Sequence, residues 1–367
     1  VASGGRSAIL GGSGNKATVN WSTAVGGRSN TASGVYSFVG GGQENTVSGQ
    51  HSTIGGGYQG TATSSYGTVA GGYSNDVTSD YSTIGGGFSN TASSTSATVG
   101  GGEICTASGQ RSTVAGGDQN TASGSRAAVG GGGQNTASGL YSNISGGLSG
   151  SASGEYATVS GGQSNIASSN GGGGHTTVSG GKNNTASAYL ATIGGGRDNT
   201  ASSNYALVCG GASNQAKTAN YATIVGGQLH TATGGYSFVG GGYSNDATQD
   251  YATVAGGNDS TASGQKSFVG GGQSNTASNA YSAVLGGNTN TCSGEEAVVG
   301  GGNLNRATQM KAGVFSGNDN QSSGEAAFIG GGVSNDATNL HTTVSGGISN
   351  TASGDKSTIG GGKSNTA

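Results

Sequence analysis

The chain has 367 residues, of which 82 are glycine and none proline, with 8% charged residues and a formal net charge of −3. Collagen is excluded, because it needs a strict three-residue glycine period and abundant proline. The sparse charge also leaves no basic surface to neutralise a phosphate backbone and no polybasic segment for anionic lipid, so no nucleic acid partner and no direct membrane insertion are expected.

From Ser3 to Ala367 one unit, approximately Ser-Gly-x-Tyr-Ser-Thr-Val-Gly-Gly-Gly-x-Ser-Asn-Thr-Ala, occurs 24 times. A fixed short period overrides the usual prior of two or three globular domains and predicts one continuous solenoid over residues 1–367. Two units break the length of 15. One carries a four-residue insertion near 171–174, within Asn170-Gly171-Gly172-Gly173-Gly174, and the other a single extra residue near Lys217. Both are expected to bulge from a turn. The chain opens at Val1 without a signal peptide and reads as a mature region or a window of something longer.

Within each unit, numbered so that Val39 falls at position 7, Ser/Thr-Gly-x at positions 1 to 3 predicts a turn. Position 4 carries Tyr36, Tyr66, Tyr81, Tyr141, Tyr156, Tyr205, Tyr221, Tyr236, Tyr251 and Tyr281, an interrupted outward column. Positions 5 and 7 alternate with outward residues as in a strand with one buried face, position 5 being small. Val39, Ile54, Val69 and Ile84 belong to the core column at position 7, which is β-branched in 23 units. A flexible Gly/Ser tract has no reason to hold that register.

Positions 6 and 8 face outward and compensate in size. Phe38, Phe238, Phe268 and Phe328 each go with a glycine at position 8, whereas Leu285 and Phe315 go with Ala283 and Gly313 at position 6. Close packing against a fixed neighbour produces such compensation, which makes this face the candidate subunit interface.

Glycine at positions 9 and 10 predicts a corner, with Ser316 the one substitution, and a second strand is predicted through positions 12 to 15. Asparagine at position 13, present in 19 units, is expected either to sit in a left-handed bend or to form a hydrogen-bonded ladder with its own copies. The fold class that follows is all-β: a parallel β-roll or β-helix of 24 fifteen-residue repeats with no separate globular domain. At about 4.8 Å per coil the rod would reach about 115 Å. From Val225 onward position 8 alternates between glycine and a larger residue, which also fits a coil of two units.

One buried Val or Ile per coil contributes about 1.5–3 kcal/mol and about ten ladder hydrogen bonds roughly 10 kcal/mol, against about 15 kcal/mol for ordering fifteen residues. A single thin solenoid is therefore marginal. Self-association is the expected remedy.

No catalytic, metal or cofactor site is predicted. Cys105, Cys209 and Cys292 lie at three different positions and read as small apolar substitutions. His51, His175 and His341 replace tyrosine at position 4, and His230 stands apart from them. A calcium-binding β-roll needs a nine-residue period and a regular Asp, both missing. The chain is not expected to be an enzyme.

At Ser-Phe-Val-Gly-Gly-Gly (37–42), Asn-Thr-Ala-Ser-Gly (30–34) and Ala-Thr-Val-Ser-Gly-Gly (157–162) the sequence resembles the head repeats of trimeric autotransporter adhesins, and is similar to repeats in phage tail-fibre proteins. The resemblance implies a left-handed parallel β-roll, three chains packed around an axis, and a rod that projects from a surface to bind host matrix or other cells. The fifteen-residue spacing and the double or triple glycine depart from that pattern.

The expected function is a non-catalytic structural and adhesive fibre, extracellular or on a cell surface, or part of a phage tail fibre. Its partners would be copies of itself, as trimer or filament, and a glycan or matrix ligand; the tyrosine column reads first as cross-coil aromatic packing and second as a surface on which sugars stack. The alternative is an ice-binding β-solenoid. Threonine fills position 14 in 15 units and serine is common at position 12, as in Ser29-Asn30-Thr31, although Asp76, Ile166, Arg306 and Gln321 interrupt the array.

Overall fold

The computed structural model describes residues 1–169 and 173–367. The chain falls into two compact units, Val1–Tyr189 and Leu190–Ala367. Each is an all-β parallel solenoid, with strands from Ala8–Ile9 to Thr185–Ala186 in the first and from Thr192–Ile193 to Thr358–Ile359 in the second. Among the described residues no helix is long and apolar enough to cross a membrane.

Every strand pairs in parallel with its copy one repeat away. Phe38 lies opposite Thr53 and Val39 opposite Ile54 in the first unit, as Phe268 lies opposite Ala283 in the second. A coil is thus one repeat rather than two, and the alternation at position 8 is a surface pattern that leaves the register untouched.

The coil 33–47 shows how the backbone is satisfied. Phe38 and Gly40 donate their N–H groups to Ser52 and Ile54 of the next coil, while Gln43 and Thr46 donate to Gly57 and Gly60. Glu44 donates backwards, to Arg28 of the preceding coil, and His51 in the next coil does the same to Val35. Ladder bonds of this kind leave few main-chain groups unpaired, as burial demands.

The second strand is shorter than positions 12 to 15. Only positions 14 and 15 are strand, as in Thr46–Val47, and a separate parallel bridge forms at position 11, for example between Gln43 and Tyr58. Position 12 breaks the strand because it is left-handed, with φ of 59° at Glu44 and 49° at Ser74. Each coil therefore has three columns of parallel pairing rather than two.

Positions 5, 7, 13 and 15 point inward. Val39, Ile54, Val69 and Ile84 are buried as expected, together with Ser37, Ala32 and Val47. Position 13 holds a buried asparagine whose amide is fully used. Asn45 donates to the carbonyls of Gly41 in its own coil and Gly57 in the next, while its Oδ1 accepts the N–H of Gly60 at 2.8 Å. Asn30 serves the N–H of Asn45 in the same way at 3.0 Å. Here the ladder runs from side chain to main chain, and from Asn320 to Asn365 in the second unit each amide also donates to the Oδ1 of the copy before it.

Of the two corner glycines only one is required sterically. At position 10 Gly317 has φ +107°, and a Cβ there would stand 2.2 Å from the carbonyl oxygen of Gly332. Position 9 is open: a Cβ on Gly301 meets nothing nearer than 3.9 Å, which explains why Ser316 is accepted at this place.

Of the four-residue insertion, Asn170, Gly171 and Gly172 lie outside the described residues. Register is recovered after it, with Val159 opposite Val178 and Ala167 opposite Ala186. The extra residue near Lys217 enlarges a turn in which Ala219 N–H donates to the Lys217 carbonyl and Thr218 sits at φ 79°.

Candidate functional surfaces

Three columns of side chains reach solvent in ordered arrays. At position 4 the backbone is left-handed in every coil that carries a tyrosine, with φ of 59° at Tyr36 and 62° at Tyr81. A left-handed L-residue costs roughly 1–2 kcal/mol. Cross-coil stacking works against that cost, since each ring lies on its copy.

In the first unit Trp21, Tyr36, His51, Tyr66 and Tyr81 stack in sequence, with centroids 5.8, 4.8, 5.0 and 4.9 Å apart. The Arg6 guanidinium caps this stack 4.4 Å above the Trp21 ring. Tyr141, Tyr156 and His175 form a second stack, capped by Arg126. In the second unit Tyr205, Tyr221, Tyr236 and Tyr251 stack at 4.5, 4.6 and 5.1 Å, and Lys266 caps Tyr281. Burial within its stack, with Tyr205 and Tyr236 on either side, pushes the Tyr221 phenol above its ordinary pKa.

The ring faces are occupied by other rings. What meets solvent along these stacks is edges and hydroxyls, so a sugar has no aromatic face to lie on except at the ends of a stack. The sequence also hid a second aromatic column. Tyr58, Tyr73 and Phe88 line up at position 11 with centroids 5.1 and 4.9 Å apart, the first pair tilted and the second stacked, a grouping that the bridge at this position produces.

At positions 6 and 8, Phe38, Leu285, Phe315 and Phe328 are exposed, with Phe315 at 68% the most open, while Phe238 and Phe268 are half-buried. Part of the size compensation is internal to the coil. The Phe38 ring edge lies 3.3 Å from where a Cβ on Gly40 would stand, and Phe238 and Phe268 lie over Gly240 and Gly270 at the same distance. Gly313 is overlaid from the next coil by Phe328 at 3.2 Å.

The third column pairs positions 14 and 1. Position 15 points inward between them, so Thr91 and Ser93 project to the same side, and so do Thr106 and Ser108, Thr121 and Ser123, Thr136 and Ser138, Ser151 and Ser153. None of these hydroxyls is engaged by another protein group. The serine at position 12 does not join this face, because its left-handed backbone turns it away from the strand.

The remaining chemistry-bearing groups are scattered. Among the described residues no group of three or more His, Cys, Asp or Glu side chains is placed to hold a metal ion. Burial pushes the Cys292 thiol up to about 11 and raises that of Cys105, which keeps both protonated and unreactive. Cys105 and His230 occupy position 13, the place of the ladder asparagine, and each donates its backbone N–H to the side-chain oxygen of the asparagine one coil before, Asn90 and Asn214. Reading Cys105 as a plain apolar substitution missed that position. No protein-family model and no curated protein matches the chain.

Proposed function

We propose that the chain is a structural repeat module of an extracellular fibre, without catalytic function, that assembles with copies of itself through the face at positions 6 and 8. One observation carries this reading. In the second unit Leu285, Val298, Phe315 and Phe328 stand exposed on successive coils, on a solenoid whose backbone is otherwise satisfied from within. No charged residue occupies position 6 or 8 between Phe238 and Ser345. Contiguous apolar surface without charge is what interface cores require. Adhesion belongs to the same proposal, with the edges and hydroxyls of the stacked tyrosines as the recognition surface for a glycan or matrix ligand.

The test is the mass of the full chain in solution, by light scattering and electron microscopy, beside a Leu285→Ser/Phe315→Ser variant. Oligomers or filaments that dissociate in the variant support the reading. A compact monomer at all concentrations removes it.

The hydroxyl pairs at positions 14 and 1 favour one other function, binding to ice. On five successive coils from Thr91 to Ser153 they form two rows without interruption, about 4.8 Å between coils and about 6.6 Å along the strand. Thermal hysteresis and ice-shaping measurements decide it, and crystals growing unaltered in its presence would dismiss it.

A further inference from the structure

We propose that His230 makes the coil 217–232 an acid-sensitive joint of the second unit, in which protonation converts a hydrogen-bond acceptor of the internal ladder into a donor and loosens the pairing with the next coil.

His230 is fully buried at position 13. Its neighbours in the column are Asn214 below, whose Oδ1 accepts the His230 N–H at 3.0 Å, and Asn245 above, whose N–H donates to His230 Nδ1 at 3.0 Å. Nδ1 is therefore unprotonated, and the imidazole is neutral with its hydrogen on Nε2. An asparagine at this position satisfies two glycine carbonyls. His230 Nε2 lies beside Gly227 and the Gly242 carbonyl, but makes no well-formed hydrogen bond to either.

A proton can enter only at Nδ1. Its N–H would then face the N–H of Asn245, which loses its acceptor, and a cation would sit in a buried site lined by the glycine corner. Both consequences oppose the folded coil. Among the described groups packed around the ring, Asp246 of the next coil is the charged one, and Asn214, Asn245, Gly227 and Gly242 do not titrate. Burial lowers the imidazole pKa from its ordinary value, while the backbone contacts at Gly242 and Asn245 and, last, the Asp246 carboxylate pull the other way without reversing the balance.

The folded pKa lies below the unfolded one, so the unfolded coil binds the proton first as the solution is acidified. Stability of this coil is complete above about pH 6.5 and declines as pH falls from there towards the folded pKa. The same coil carries the extra residue and the strained Thr218, so it has less with which to resist opening.

Amide hydrogen exchange on the full chain tests this, corrected for intrinsic rates, with Asn305 and Asn320 as an internal standard in a regular stretch. Between about pH 7.5 and pH 5 the segment 228–247 should lose protection by up to about tenfold per pH unit while the standard keeps it. His230→Asn, which restores the commonest residue of the column, should abolish that loss. Equal losses in both segments, or a loss that persists in His230→Asn, would overturn the proposal. Carbon-13 labelling of the histidines gives an independent reading in the unaltered chain: an imidazole of His230 that titrates at its ordinary value with no change in protection also overturns it.

Discussion

The same buried column is continuous in one stretch of the molecule and broken in another. In the second unit Asn275, Asn290, Asn305, Asn320, Asn335 and Asn350 pass Oδ1 to N–H without a gap, each feeding the next at 2.9–3.0 Å. In the first unit the column reads Asn45, Gly60, Asn75, Asn90, Cys105, Asn120, Asn135, Gly150, Asn165. After each glycine the N–H of the following residue, Asn75 or Asn165, has no acceptor among the described residues, whereas after Cys105 the Asn120 N–H has only the thiol sulfur to turn to. Position 7 is Val or Ile in both stretches, and equally buried. The apolar core is therefore common to the two, and the difference between them lies in polar groups hidden beside it.

The largest effect is expected from breaking the continuous stretch. Asn305→Leu keeps the volume but strands the N–H of Asn320 and the carbonyls of Gly301 and Gly317. At about 1–3 kcal/mol for each buried group left unpaired, the local cost is about 3 kcal/mol or more. Hydrogen exchange at Asn320 and its neighbours reads that cost directly. Because coils in a repeat array open by neighbourhood, distant coils should be spared. An unchanged protection pattern would show that apolar packing alone sustains the column.

The adjacent corner gives a contrast of sign. Gly317→Ala puts a methyl into the Gly332 carbonyl oxygen at a left-handed φ and should destabilise by about 3 kcal/mol. Gly301→Ala, in the same corner type but one position earlier, meets open space at ordinary φ and should stabilise by about 0.4–1 kcal/mol through the unfolded chain. Urea midpoints of the two variants should move in opposite directions.

The broken stretch can be mended. Gly150 lacks left-handed geometry, and a Cβ there meets Asn135 Oδ1 at 3.0 Å, a contact that a small shift accommodates. Gly150→Asn would give Asn165 its acceptor and should raise stability by about 1–2 kcal/mol. A lower urea midpoint would mean that the glycine is needed for space.

How much of this was legible in the sequence depends on whether a residue type carries its own signal. Position 7 was legible because Val39, Ile54 and their copies alternate with outward residues at period two, and the position 13 ladder because asparagine recurs where no charge or turn demands it. Position 12 was not. Glu44, Gln59, Ile104 and Leu229 carry no mark of left-handed backbone, which is imposed by the N–H of this residue donating to the coil before it. The same tertiary bond places tyrosine at positive φ in position 4, where the rings form the cross-coil stack expected of them rather than a face-on sugar platform. His230 is visible as a histidine but not as a ladder member. Only the register, sixteen residues from Asn214 because of the extra residue near Lys217, reveals its place.

The smallest expected effect concerns that stack. Tyr66 lies between His51 and Tyr81, with its rings 5.0 and 4.9 Å from theirs, and sits at φ 61°. Tyr66→Ala loses both contacts, about 0.5–1.5 kcal/mol each, and keeps the strained backbone. Tyr66→Gly loses the same contacts but relieves about 1 kcal/mol of strain. The glycine variant should therefore be the more stable of the two, by less than about 1 kcal/mol, because the extra entropy of ordering glycine offsets part of the relieved strain. If alanine instead matches or exceeds glycine, the left-handed turn is held without strain, and stacking is not what sustains tyrosine at this position.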